Sequence, residues 1–104
     1  MTRTFNEYFV EKLQNHEEAK AHLELAIEEY EKDGDSAAFM LMLRFIVEAQ
    51  GGIAKLAERS HLNRQNLYKI LTGKTTPRFD TTLAIMKGLG YRISVEETDH
   101  GFAQ

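Results

Sequence analysis

Between Gly52 and Arg78 the chain reads GIAKLAERSHLNRQNLYKILTGKTTPR, and this stretch leaves few choices of local fold. Ile53, Leu56 and Ala57 recur at i, i+3 and i+4, one apolar face of a short helix. Ser60-His61-Leu62-Asn63 then interrupts the pattern. Asn63 suits the first position outside a new helix, where its side-chain oxygen can accept a hydrogen bond from a free backbone N–H of the first turn. Leu67, Ile70 and Leu71 repeat the i, i+3, i+4 spacing, while Arg64, Gln65, Asn66, Tyr68 and Lys69 fill the other face. Gly73 stops this second helix, and Lys74-Thr75-Thr76-Pro77 follows as a polar loop. The stretch therefore predicts two short helices joined by a tight turn.

A helix that opens with Arg64, Gln65 and Asn66 has the side chains needed to read bases. Arg donates two bonds to guanine, and Gln or Asn bonds adenine bidentately, both from the major groove. A helix-turn-helix presents that end of its second helix to the groove. On this reading Arg64, Gln65 and Asn66 face bases, with Tyr68 and Lys69 on the same face and Lys69 within reach of one. Lys74, Thr75 and Arg78 meet phosphates. The plainer reading of the same residues is a helical hairpin with a solvated polar face.

Charge distribution separates the two. The net charge of −3 is not that of a generic nucleic-acid binder, but it is unevenly spread. Residues 1–50 hold 5 Lys/Arg against 11 Asp/Glu, and residues 51–92 hold 8 Lys/Arg against 2 Asp/Glu. The last stretch, 93–104, carries Glu96, Glu97 and Asp99 without a Lys or Arg. A basic block around residues 52–78 is the electrostatic footprint expected for phosphates. An acidic half beside it suggests a second, basic partner.

Ahead of that block, Phe5, Tyr8, Phe9 and Leu13 lie at i, i+3, i+4 and i+8, an amphipathic helix with an aromatic face. Asn15 followed by Glu18 resembles a capping box, opening a helix over 15–32 with Leu23, Ile27 and Tyr30 as its buried stripe. Its other faces are rich in Glu, and Gly34 ends it. Asp35 caps a third helix whose residues 37–47 are apolar nearly all round, which predicts a central helix buried on every side. Gln50-Gly51-Gly52 breaks it. Beyond Pro77, Phe79, Leu83, Ile85, Met86 and Leu89 support another helix ended by Gly88 or Gly90. Tyr91–Glu96 then alternates apolar and polar residues, the period of a half-buried strand. A lone strand leaves its N–H and C=O groups unpaired, so Tyr91, Ile93 and Val95 are expected to pair with a second copy in a homodimer.

At 104 residues the chain has the size of one small domain. It divides into acidic N-terminal helices (1–36), a core (37–90), the strand (91–97) and a tail (98–104). The fold class is mainly all-α with one short C-terminal β-strand. Cys is absent, which removes disulfides and thiolate metal sites and suits a reducing cytoplasm. The longest apolar run, Ala37–Leu43, is too short to span a membrane, and Met1-Thr2-Arg3 leads into polar residues without a signal core. His16, His22, His61 and His100 never fall at i, i+3 or i+4 from one another, so no helix face offers two His ligands to a metal. No phosphate-cradling Gly-rich loop occurs, and the clustered carboxylates of 17–31 sit on an open helix face unsuited to acid–base catalysis. The expectation is a non-enzyme without cofactor.

Leu56-Ala57-Glu58, Leu62–Tyr68, Gly73-Lys74 and Pro77-Arg78 resemble the phage-repressor (Xre/Cro) helix-turn-helix. With the continuation Thr82–Val95, the stretch from about Ala37 to Glu96 is similar to the HigA-like addiction-module antidotes, the antitoxins of type II toxin–antitoxin pairs. Residues 1–36 are similar to that family's N-terminal helices more loosely. His61 stands where the repressor pattern usually has Gly, at a left-handed position that His tolerates better than most residues. The resemblance implies two partners. One is double-stranded operator DNA, bound as a dimer. The other is a small basic toxin of the RelE/ParE/HigB kind, whose RNA-gripping face carboxylates can cover. Glu24, Glu28 and Glu31, with Phe5, Tyr8 and Phe9 as apolar anchors, are the expected toxin-binding residues. A stand-alone phage-type repressor and a pure protein-interaction adaptor remain the alternatives.

Overall fold

The computed structural model describes residues 4–99, which form six helices. They are α1 (Phe5–Lys12), α2 (His16–Asp33), α3 (Ser36–Ala49), α4 (Ile53–Ser60), α5 (Arg64–Leu71) and α6 (Phe79–Gly88). Short polar side chains set most of the helix starts. Asn15 Oδ1 accepts from the N–H groups of Glu17 and Glu18 at 3.0 and 3.1 Å, and Asp35 Oδ1 accepts from Ala38 N–H at 3.0 Å. Glu18 turns sideways, toward Lys12 at 3.9 Å and His22 at 3.8 Å. Gly34, at φ 67°, closes α2 with its N–H on the Tyr30 carbonyl, a left-handed position that Gly adopts without a Cβ penalty.

Helix α3 is the centre of the molecule: α1 and α2 pack on it from one side, α4 and α5 from the other. Met40, Leu43, Ile46 and Val47 meet Leu13, Ala19, Leu23, Leu56, Leu67, Ile70 and Leu71 in one core. Helix α6 packs on α4 through Ile85 and Met86. Gly88 permits that approach: a Cβ there would stand 2.7 Å from Leu56 Cδ1. The expectation that α3 is buried on every side is corrected. Ala37 and Ala38 are exposed, and Leu41 retains 47% of its surface. The stripe expected on α2 is likewise only half covered, since Leu23 is buried but Ile27 and Tyr30 are exposed. Every residue from Ile27 to Ala38 is exposed, so the α2–α3 hairpin projects past the core.

The expected strand is also corrected. Among the described residues there is no β-strand, and 91–98 runs without regular structure. Alternation alone does not make a strand: the backbone needs a ladder partner, and no described segment of the same chain supplies one. Tyr91 instead folds back on the start of α2. Its ring stacks on His16 (centroids 4.5 Å apart, 8° between planes) and its hydroxyl donates to the His16 carbonyl at 3.0 Å. Burial there raises the Tyr91 pKa above its ordinary value.

His61, between α4 and α5, has φ 58° and is the one non-glycine with positive φ among the described residues. An L-residue in that conformation crowds its Cβ against the next carbonyl, a strain Gly lacks. His61→Gly should therefore raise the unfolding free energy by about 1 kcal/mol. The check is urea unfolding, in which the midpoint should move up at unchanged slope.

Candidate nucleic-acid interface

Helix α5 is held by its inward face. Leu67, Ile70 and Leu71 are buried, and Asn63 Oδ1 accepts from Asn66 N–H at 3.0 Å to fix the first turn. Because those three residues occupy one face, Arg64, Gln65, Asn66, Tyr68 and Lys69 all project to solvent. At the far end the chain turns sharply through Gly73, with Lys74 N–H bonded to the Lys69 carbonyl at 2.8 Å. That turn carries Lys74 back along α5, where its ammonium lies 5.5 Å from the Tyr68 ring centroid.

Arg64, Gln65, Tyr68, Lys69 and Lys74 line an open cleft with Ile53, the first residue of α4. The structure thus brings five of the eight expected DNA-binding residues together. Asn66, Thr75 and Arg78 are exposed but do not line the cleft. Among the described residues no carboxylate pairs with Arg64, Lys69 or Lys74. Arg78 differs: its Nε lies 3.2 Å from Asp80 Oδ1, and the hydrogen bond from Arg78 holds the Asp80 carboxyl below the usual carboxylate range. Both side chains are largely exposed, so the pair is weak. Ile53 packs against the core, as its spacing with Leu56 and Ala57 predicts, and its half-buried side chain also forms the cleft wall, a second role that no local signal marks.

The remaining expected residues lie on other elements. Phe5 and Tyr8 on α1 are 75% and 56% exposed, and Glu24, Glu28 and Glu31 are exposed on α2. Phe9 is half-buried, edge-on to His22 at 5.1 Å and to Phe45 at 5.5 Å. Ile93 and Val95 are 45% and 95% exposed. Among the described residues no group of three or more His, Asp or Glu side chains could hold a metal ion, and no single helix is long and apolar enough to cross a membrane.

A family model described as "probable addiction module antidote protein" matches residues 3–97. The chain belongs to that family. The match extends over all six helices of the antidote, so membership rests on the acidic α1–α3 half as well as on α4–α6. No curated protein matches the antidote, and no solved structure does. Such a family points to a regulatory rather than a catalytic role.

Proposed function

We propose that this antidote is a HigA-like antitoxin of a type II toxin–antitoxin pair that binds its operator DNA through an Xre/Cro-type helix-turn-helix, α4–α5, and neutralises a small basic toxin. The observation that carries the DNA half is the cleft on α5, where cationic and amide side chains converge on one exposed face and, among the described residues, no carboxylate pairs with Arg64, Lys69 or Lys74. Arg64, Gln65 and Asn66 face bases, Lys69 reaches one, Tyr68 orients Lys74, and Lys74, Thr75 and Arg78 take phosphates. Family membership favours the antitoxin over a stand-alone repressor. The acidic helices α1–α3 supply the toxin-facing charge, with Glu24, Glu28 and Glu31 on the exposed side of α2. Complementary charge of this kind acts mainly on the association rate.

Operator binding needs two copies. Residues 92–96 are exposed and join no strand among the described residues, and Ile93 and Val95 offer the apolar side chains for a symmetric pairing. Tyr91, held on His16, anchors the start of that segment. The two α5 helices then sit roughly 34 Å apart and read a near-palindrome. Ile93→Pro removes a ladder donor and an apolar contact together. The variant should sediment as a monomer and bind operator far more weakly, and a fully dimeric Ile93→Pro protein would place the interface elsewhere. The experiment for the whole reading is expression of the natural operon. A small basic protein should co-purify with the antidote, and the purified complex or the antidote alone should shift the operon's promoter DNA. Promoter binding without a co-purifying protein would make the chain a stand-alone repressor.

A further inference from the structure

Two contacts give the register of the N-terminal helices. Lys12 on α1 meets Glu18 on α2 at 3.9 Å, and Phe9 meets His22 at 5.1 Å, so α1 and α2 run antiparallel. From those two pairs the antiparallel register runs on to Phe5, four residues before Phe9 on α1, and Leu25, three residues after His22 on α2. Phe5 stacks on Phe9 at 5.8 Å and 12° rather than entering the core, and remains 75% exposed. Leu25 is 52% exposed on a helix whose core side is set by Ala19 and Leu23. Tyr8, 56% exposed, lies one residue from Phe9 on α1.

The surroundings of Leu25 are acidic. Glu24 precedes it, Glu28 and Glu29 stand three and four residues on, and all three are exposed. An exposed apolar centre with a polar rim is the layout of a protein-contact surface. The sign of the rim selects the partner. Nucleic acid and an anionic membrane are repelled. A second copy related by a two-fold axis would set the same carboxylates against each other. A basic protein surface is complementary.

Resting on the antitoxin reading, we propose that Phe5, Tyr8 and Leu25 form the apolar centre of the toxin-binding surface, with Glu24, Glu28 and Glu29 as its rim. Leu25 is the junction between the aromatic α1 face and the acidic α2 face. The toxin it fits presents an apolar depression bordered by Lys or Arg. The test uses the full chain and the purified basic toxin encoded in its operon, titrated at low and high salt. Leu25→Lys should weaken toxin binding by about tenfold to a hundredfold, and Phe5→Ser, on the neighbouring helix, should weaken it by a similar factor. Leu25→Met should bind like the unchanged chain. Thermal unfolding and operator affinity should stay as they are in all three, because both replaced side chains are mostly exposed. If Leu25→Lys and Phe5→Ser capture the toxin as tightly as the unchanged chain, the proposed surface is wrong while the antitoxin reading stands. If the unchanged chain binds no toxin, the antitoxin reading falls and this surface with it.

Discussion

Replacing Arg64 or Gln65 with Ala should cost about 1–3 kcal/mol of operator affinity each and relax base preference at the position each one reads. Both side chains start from the first turn of α5, project to solvent and are held in place by the buried Leu67, Ile70 and Leu71 beneath them. A bidentate contact is lost outright on truncation, since Ala has no donor or acceptor to offer. Lys74→Ala behaves differently. On the proposed reading its ammonium meets a phosphate and not a base, so specific and random DNA should weaken alike, and the dependence of log affinity on log salt should flatten by about one unit. Mobility shifts on operator and on scrambled duplex, each at several salt concentrations, separate the two patterns. If both Ala variants kept full operator affinity and specificity, α5 would not be the reading helix.

The largest effect on stability is expected at Leu67. Its side chain is fully buried, between α5 and the central α3. Leu67→Ala removes buried methyl groups and leaves a cavity that packed helices fill only in part, at a cost of about 2–5 kcal/mol. For a small domain whose whole stability is about 5–15 kcal/mol, that is a large fraction. Urea unfolding should show the midpoint falling at unchanged slope. Operator binding should fall with it at physiological temperature, because the face that holds α5 in place has lost its centre. A variant within 0.5 kcal/mol of the unchanged chain would mean that α5 does not rely on Leu67 for docking.

Fold and site were legible in the sequence to different depths. The site residues on α5 could be named because one local rule decides them: with Leu67, Ile70 and Leu71 inside, Arg64, Gln65, Asn66, Tyr68 and Lys69 have no other place to go. Which of them share a cleft could not be read that way. Ile53 joins them from another helix, and Arg78 is diverted to Asp80. At the other end of the chain, Phe5, Tyr8, Phe9 and Leu13 share one spacing pattern but not one fate. Leu13 is fully buried and Phe9 is half-buried, edge-on to His22 and Phe45, while Phe5 and Tyr8 stay more than half exposed.

The sequence by itself determined the helices and their ends. Caps at Asn15, Asp35 and Asn63 act over two or three residues, and the left-handed turn at Gly34 over one, so the interactions that decide them lie within a few residues of each other in the chain. The tertiary structure alone decided how far each apolar stripe is covered. Periodicity marks the face of α2 that carries Leu23, Ile27 and Tyr30, but only the reach of the neighbouring helices buries the first and leaves the other two in water. It also supplied the long-range ties: the Gln50 side chain donating to the Leu13 carbonyl at 2.8 Å, and Tyr91 stacked on His16 and bonded to its carbonyl. Those partners are 37 and 75 residues apart, and such contacts exist only once the helices between them have packed. The same dependence explains the missing strand. Alternation in Tyr91–Glu96 states which side chains share a face, whereas a ladder needs a second backbone that no described part of this chain brings alongside.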